Sequence, residues 1–339
     1  MRKYISIGYV ETKALNTVTT EDIKALDVIN LAFGHIVDGK AVYDMGENAK
    51  EIARIKAINP NIKIILSIGG WSAGGFSEAA WDKSSRELFA KTAVEIVKKY
   101  RLDGLDIDWE YPCISVAEIV GRPQDKENFT LMLKELRESL DTVDTNYYLT
   151  IAAGGDSYYT RCTNMAEAQK YLNYVQLMTY DLRGGFCTHT GHHANLFTKN
   201  ADLSVASADE AVKCFNRAGV PMEKLVVGVA YYSRMWKNVP NRDSGLMQMA
   251  GSTGGYGPSY SELVDSYIDK NGFKSYWDDE AKAPWLFDGS TFISYEDEAS
   301  ISEKAKYVRE NRLCGLMYWE YSLDASHKLT TFLRSELDK

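Results

Sequence analysis

Short apolar, β-branched segments recur along the chain and alternate with stretches of helical periodicity. Eight of these segments are predicted strands, at residues 4–9, 28–35, 63–68, 102–109, 147–153, 175–180, 225–231 and 315–319. Apolar positions spaced three and four apart predict helices between most of them, for example at 84–100, 126–143, 206–218 and 296–311. Regular alternation of strands and helices indicates a parallel sheet with helical crossovers. Eight such units predict an α/β fold of the (β/α)8 barrel type.

One interval departs from this regular alternation. More than 80 residues separate the seventh predicted strand from the eighth, far more than one helix requires. They include the glycine-rich stretch 251–258, a helical pattern at 261–270 and strand-like pieces around 275–277 and 285–287. We therefore expect a catalytic barrel at 1–234 and 294–339 with a small α+β insertion at 235–293. Because the loops that follow barrel strands build the active face, the insertion is expected to wall one side of a cleft.

Composition and charge restrict the classes of partner. The chain has 339 residues and a net charge of −8, with no cluster of Lys and Arg. This argues against a nucleic-acid partner, which requires such clusters. No apolar run approaches the roughly 20 residues of a membrane helix, so no membrane partner is expected either. The chain is rich in Tyr and Trp, with 22 and 7 residues, whose flat faces and polar edges suit sugar rings.

Cysteine usage and the N-terminus bear on the compartment. The five cysteines are scattered without a C-x-x-C pair, so free thiols are expected rather than a disulfide framework. The first ten residues lack an apolar core long enough for a signal peptide. We expect a cytoplasmic monomer as the chain stands, or a secreted protein whose leader has been removed.

The segment 102–112, LDGLDIDWEYP, is the richest in candidate chemistry. Strand side chains alternate, so Asp106, Asp108 and Glu110 share one face and the apolar residues between them share the other. In a barrel the three carboxyl groups would point inward and rise toward the C-terminal mouth. Burial and like charges raise carboxyl pKa values, and an acid that keeps its proton near neutral pH is what general-acid catalysis requires. A solvated acidic strand and a divalent-cation site remain alternatives.

Several motifs resemble those of the family-18 glycoside hydrolases, the chitinase family. Residues 103–112, DGLDIDWEYP, match its D-x-x-D-x-D-x-E motif at every acidic position, and 67–71, SIGGW, match its third-strand motif. NLAFGH (30–35), QLMTYD (176–181), the Y-x-R at 232–234 and MYWEYSLD (317–324) follow in order. The resemblance implies a barrel enzyme that hydrolyses the β-1,4 linkages of N-acetylglucosamine in chitin or chitooligosaccharides.

The resemblance also implies roles for individual residues. Glu110 resembles the general acid, Asp108 the group that orients the substrate acetamide, and Asp106 a deeper partner that exchanges a proton with Asp108. Tyr180 would donate to the acetamido carbonyl. The implied substrate-binding residues are Tyr9, Phe33, Gly70, Trp71, Met178, Asp181, Tyr232, Arg234 and Trp319. Non-proline cis peptide bonds are implied at 32–33, 110–111 and 319–320. Ala230 and Ser233 depart from the family pattern, which has Pro and Gly there.

The spacing of the acids indicates the mechanism. Conventional glycosidases place two carboxyl groups on opposite sides of the scissile bond. Asp108 and Glu110 stand side by side, roughly 7 Å apart along one strand, so both approach the sugar from the same side. The substrate's own acetamido oxygen is then the natural nucleophile, and the reaction retains the anomeric configuration.

Other interpretations concern the substrate and the ligands. An endo-β-N-acetylglucosaminidase acting on N-glycan cores would use the same chemistry, and a non-catalytic chitin-binding lectin would use the same scaffold. No cofactor is expected. His189, His192 and His193 form a histidine-rich segment, but we expect no metal there because the family has a similar T-G-H segment without one.

Overall fold

The computed structural model describes residues 2–200 and 202–339. Its strands are β1 (Ile5–Glu11), β2 (Val28–Val37), β3 (Lys40–Val42), β4 (Lys63–Gly69), β5 (Gly104–Asp108), β6 (Tyr148–Gly154), β7 (Tyr174–Met178), β8 (Leu225–Ala230), β9 (Tyr232–Trp236), β10 (Gly255–Ser259), β11 (Lys274–Asp278), β12 (Ala283–Phe287), β13 (Phe292–Ser294) and β14 (Gly315–Trp319). Its α-helices are α1 (Thr20–Ala25), α2 (Ala49–Ile58), α3 (Phe76–Ala79), α4 (Lys83–Tyr100), α5 (Asp125–Asp141), α6 (Ser157–Arg161), α7 (Met165–Ala168), α8 (Ala208–Arg217), α9 (Tyr260–Ser266), α10 (Glu298–Asn311) and α11 (Lys328–Leu337).

Eight parallel strands close into a barrel. Hydrogen bonding runs through β1, β14, β8, β7, β6, β5, β4 and β2, and the pairing of β1 with β2 completes the circle. β3 forms an antiparallel hairpin with the end of β2 outside this circle. The predicted (β/α)8 barrel is confirmed. The observed β5 is shorter than the strand predicted at 102–109. Its pairing ends at Asp108, so Glu110 lies just beyond the strand.

The barrel strands are apolar because both of their faces are covered. Outward-facing Leu105, Ile107 and Trp109 of the β5 segment pack beneath the helices, and the Trp109 ring stacks on Phe76 at 5.3 Å. A second, smaller cluster fills the barrel interior and includes Ile65 of β4. The alternation predicted for β5 is therefore present: apolar side chains face the helices and carboxyl groups face the barrel axis.

Helix termini follow ordinary capping chemistry. α4 begins after Asp82, whose carboxylate accepts a hydrogen bond from the Ser85 amide at 2.8 Å. It ends at Arg101, which adopts the left-handed conformation with φ of 55°. The turn at Arg101 leads directly into β5, which begins three residues later. No helix in the described part of the chain is long and apolar enough to cross a membrane.

A second sheet follows β8 directly. Its strand order is β10-β9-β13-β12-β11, and all neighbours are antiparallel. Trp236, Trp285 and Phe292 form its own apolar cluster. The pattern at 275–277 and 285–287 indicated β11 and β12, whereas β9, β10 and β13 were not predicted as strands. The division of the chain at 234 and 294 into two domains stays a prediction.

Candidate active site

Asp106 lies at the bottom of the site, fully buried inside the barrel. Its carboxylate accepts four hydrogen bonds: from Tyr9 Oη at 2.8 Å, Ser67 Oγ at 2.7 Å, Thr150 Oγ1 at 2.7 Å and Gln176 Nε2 at 2.9 Å. Burial raises the pKa of Asp106 above its usual value, although these four donors oppose the shift. All four stabilise the carboxylate form, but the three hydroxyl groups can also rotate and accept a hydrogen bond from a protonated Asp106.

Asp108 stands one step higher and has a different environment. It is 4 % exposed, and its buried Oδ1 has no hydrogen-bond partner among the described residues. Burial, then the charges of Glu110 and Asp106, raise the pKa of Asp108 well above its usual value. This environment therefore favours the protonated form of Asp108 more strongly than water does. Asp106 already has four donors from other residues, so the expected proton exchange between Asp106 and Asp108 stays a prediction.

Glu110 is the uppermost acid, at the mouth of the barrel. It is 9 % exposed. Burial raises the pKa of Glu110 to about 7, while contact with the Tyr111 hydroxyl lowers it and the charge of Asp181 raises it. A carboxylic acid with this pKa holds its proton near neutral pH and can lose it again, as a group that acts first as acid and then as base must do.

Aromatic rings form the floor beside the acids. Trp319, at the end of β14, stacks on Phe33 with centroids 5.3 Å apart and lies 5.6 Å from the Tyr9 ring. Gly70 has a φ of +93°, and a Cβ there would come within 2.8 Å of the Phe33 ring. The second glycine of the SIGGW motif is therefore needed to bring that backbone turn against the floor. Met178 packs in the same interior cluster.

Tyr180, just after β7, lies near Asp108 and Glu110 and contacts Tyr232 of β9. Their rings meet edge to face, with centroids 6.1 Å apart. The Tyr180 hydroxyl lies 3.9 Å from the Met317 sulfur, which is a weak acceptor. Burial and the charges of Asp108 and Glu110 raise the pKa of Tyr180 well above its usual value. Tyr180 is therefore a neutral hydrogen-bond donor.

A charged pair, Arg234 and Asp181, lies next to Tyr232. Arg234 Nε donates to Asp181 Oδ1 at 2.6 Å. Buried His193 places Nδ1 3.6 Å from the same oxygen. His193 and Arg234 hold the pKa of Asp181 well below its usual range despite burial. Asp181 is thus a carboxylate, in contrast to Asp108 and Glu110, whose pKa values are raised.

Trp71 occupies the rim rather than the interior. Its side chain, directly after β4, is 46 % exposed. A groove of about 610 Å³ adjoins the aromatic floor on the side of β1, β2 and β3, and it is lined by Glu11, Thr12, Lys13, Ala32, Phe33, His35, Val42, Tyr43 and Asp44. The peptide bonds 32–33, 110–111 and 319–320 are cis, as the sequence resemblance implied.

The three histidines of the segment after β7 have different partners. His189 contacts Arg183, His192 contacts Asp278, and His193 contacts Asp181. In the part of the chain that the structure describes, no three His, Cys, Asp or Glu side chains gather as metal ligands would. His193 belongs to the site as the neighbour of Asp181, a position that sequence reasoning did not assign.

Sequence reasoning also missed the donors around Asp106. Ser67 and Thr150 lie on β4 and β6, the two neighbours of β5, and are paired with Asp106. Gln176 lies on β7, one strand further along the barrel. Polar residues within otherwise apolar barrel strands were the available signal. Gln176 is itself held by Asn30 of β2 through a 2.8 Å hydrogen bond from Nδ2 to Oε1.

Comparison with known proteins agrees with this geometry. The model of the glycosyl hydrolases family 18 matches residues 5–324. The chain belongs to that family. It is 35 % identical over 345 residues to Chitinase A1 of Niallia circulans, an alignment that covers 91 % of this chain and 49 % of the relative. The chain thus spans about half the length of that curated relative.

Two solved structures are similar over nearly the whole chain. A family-18 N-acetylglucosaminidase from Paenibacillus barengoltzii has a TM-score of 0.97 and 53 % identity, covering 98 % of this chain and 100 % of its own. A multi-modular cell-surface chitinase from Paenibacillus sp. str. FPU-7 has a TM-score of 0.92 and 43 % identity, covering 99 % of this chain and 43 % of its own.

Proposed function

We propose that this protein is a retaining glycoside hydrolase that cleaves β-1,4 N-acetylglucosamine linkages in chitin or chitooligosaccharides. The observation that carries the proposal is Glu110, a buried acid with a pKa of about 7 at the mouth of a family-18 barrel. Glu110 protonates the glycosidic oxygen as the bond to the anomeric carbon breaks. It then takes a proton from the water that attacks the same carbon.

The nucleophile in this mechanism is the acetamido oxygen of the substrate. Asp106 and Asp108 alternate along β5, and Glu110 follows two residues beyond the end of that strand. All three therefore approach the sugar from one side, and none reaches the opposite face of the anomeric carbon. Attack by the acetamido oxygen gives an oxazolinium ion, and water opens it from the face that the leaving group vacated. Two inversions at one carbon give net retention.

Asp108 and Tyr180 act on the acetamide. The unpartnered Oδ1 of Asp108 accepts the acetamido N–H, and the Tyr180 hydroxyl donates to the acetamido oxygen and orients it. As positive charge develops on the oxazolinium ion, the proton of Asp108 passes to Asp106, and the resulting Asp108 carboxylate stabilises the ion electrostatically. Asp106 makes no substrate contact and accepts this proton, as one of the hydroxyl groups that bond it rotates to become a hydrogen-bond acceptor.

The remaining predicted residues bind sugar. Trp319, with Phe33 and Tyr9 behind it, presents an apolar floor to the sugar at the cleaved bond. The paired side chains of Asp181 and Arg234 bind hydroxyl groups of the sugar. Trp71 provides an exposed ring at the rim of the site for a neighbouring sugar. Neither a cofactor nor a metal takes part in these steps.

A second candidate is an N-acetylglucosaminidase that releases single sugars from chitooligosaccharides. It is favoured by 53 % identity to the Paenibacillus barengoltzii protein, whose whole chain is covered. An enzyme acting on N-glycan cores would share the acid and the acetamido mechanism, but the aromatic floor and the relatives named chitinases favour chitin-type chains. The lectin alternative is disfavoured because Glu110 is present.

A product time course separates these activities. Chitohexaose is incubated with the enzyme, and early products are resolved by mass spectrometry. Dimers, trimers and tetramers at the earliest times support a chitinase, whereas monomer and pentamer support the N-acetylglucosaminidase. A high-mannose glycoprotein serves as the parallel substrate, and its selective deglycosylation would overturn both. Binding of chitohexaose without any product would establish the lectin.

A further inference from the structure

The glycine-rich stretch that the sequence assigned only to the insertion forms β10 and lies against the active site. β10 pairs antiparallel with β9, so that Tyr256 lies opposite Arg234 and Ser259 lies opposite Tyr232. β10 uses one more residue than β9 between these two pairs, which makes a β-bulge. Bulges beside active sites redirect a side chain, and here the redirected residue next to the bulge is Tyr256.

Small residues let β10 lie close to β9. A Cβ on Gly254 would come within 2.3 Å of the Trp236 ring, and a Cβ on Gly257 within 2.4 Å of Ser233 Oγ. Ser233 Oγ also donates a 2.7 Å hydrogen bond to the carbonyl of Pro258. Ser233 is the residue that departs from the glycine of the family pattern, and its hydroxyl fastens the bulge.

In this position the Tyr256 ring packs against the Arg234 guanidinium. The guanidinium carbon lies 3.9 Å from the centroid of the Tyr256 ring, within the range of a cation–π contact. Tyr256 is 71 % exposed, so the contact covers little of its surface and the ring has little role in the core. Arg234 Nε donates to Asp181, and no hydrogen bond from its terminal nitrogens is found among the described residues.

We propose that Tyr256 is a positioning residue that holds the Arg234 guanidinium in the plane where Nε binds Asp181 and the terminal nitrogens face the sugar. Without the ring, the guanidinium samples other rotamers and substrate binding has to select one of them. The effect therefore appears in substrate affinity rather than in the chemical step, since Glu110 and Asp108 lie on another element. The inference rests on the proposed function for the identity of the sugar.

The test compares Tyr256→Ala with Tyr256→Phe on chitooligosaccharides. We expect Tyr256→Ala to raise KM about tenfold with kcat within twofold of wild type, and Tyr256→Phe to stay within twofold in both because the ring is kept. Tyr158→Ala, which removes a similarly exposed tyrosine on α6, is the matched control and should behave as wild type. An unchanged KM in Tyr256→Ala, or equal losses in Tyr256→Ala and Tyr256→Phe, overturns the proposal.

A spectroscopic readout separates this inference from the proposed function. The ¹⁵N–¹H resonance of Arg234 Nε, assigned by its absence in Arg234→Lys, reports the guanidinium without any substrate. Tyr256→Ala should shift it and speed its exchange with water, and Tyr256→Phe should not. If wild-type protein leaves chitooligosaccharides intact, the proposed function fails and this resonance decides the role of Tyr256. A resonance that is the same in both variants overturns that role.

Discussion

Replacing Glu110 by glutamine should stabilise the folded protein at alkaline pH while removing turnover. The folded state raises the pKa of Glu110 from 4.5 to about 7, so between these values the folded chain keeps a proton that the unfolded chain has lost. Stability therefore falls as pH rises through this window and levels off above it. A pKa difference of one corresponds to about 1.36 kcal/mol, so the ionised Glu110 costs about 3 kcal/mol of folding free energy at pH 8.

Glutamine keeps the size of the side chain but cannot ionise. For a chain of 339 residues an unfolding entropy of about 2.1 cal/mol/K per residue converts 3 kcal/mol into a rise in Tm of roughly 4 °C. Scanning calorimetry at pH 8 and pH 4 measures this directly. The gain should be present at pH 8 and absent at pH 4, where both side chains are neutral.

A matched control and an activity assay complete this test. Glu95→Gln removes an exposed carboxylate on α4 and should leave the difference between the two pH values unchanged. Glu110→Gln should also lose at least 10³-fold in kcat on chitohexaose, the upper part of the range for removing a general acid. If Glu110→Gln were as stable as wild type at both pH values, the raised pKa of Glu110 would be refuted. If its kcat stayed within tenfold of wild type, the role of Glu110 as general acid would be refuted.

Three further predictions follow from the same residues. Asp108→Asn resembles the protonated side chain that burial favours, but it cannot become a carboxylate. Steady-state kinetics should therefore show kcat reduced by about 10²–10³-fold with KM nearly unchanged. A rise in KM alone would contradict this prediction. The pH profile of kcat/KM should fall above about pH 7, where free Glu110 loses its proton, and a profile flat to pH 9 would exclude it as the acid. Trp319→Ala should raise KM about tenfold, about 1.4 kcal/mol of binding, whereas Trp319→Phe should retain most affinity; equal losses in both would argue against a stacking floor.

The sequence predicts the barrel and the column of acids because both depend on local rules. Strand alternation places Asp106 and Asp108 on one face of β5 and predicts the same side for Glu110, which lies just beyond the strand. Repeated strand–helix units predict a closed parallel sheet. The resemblance then suggests which aromatic residues meet around them. These residues come from the ends of different strands, and the parallel register brings those ends together.

The contacts of β10 could not be predicted in this way. The pairing of Tyr256 with Arg234 depends on an antiparallel register that includes a bulge, and a shift of one residue would turn Tyr256 to the other face. The nearness of Cys113 and Cys162, where the Cys113 sulfur lies 3.6 Å from the Cys162 carbonyl oxygen, likewise depends on how the loop after β5 meets α6. Spacing along the chain carries no information about either contact.

The anomeric form of the first product tests the central claim most directly. Glu110 as acid and base, with the acetamido oxygen as nucleophile, requires that the new reducing end form as the β anomer. Proton NMR of chitohexaose digestion within the first minutes, before mutarotation, resolves the two anomers. We expect the β anomer in excess over its equilibrium share, decaying toward equilibrium afterwards. An initial excess of the α anomer would contradict the retaining mechanism.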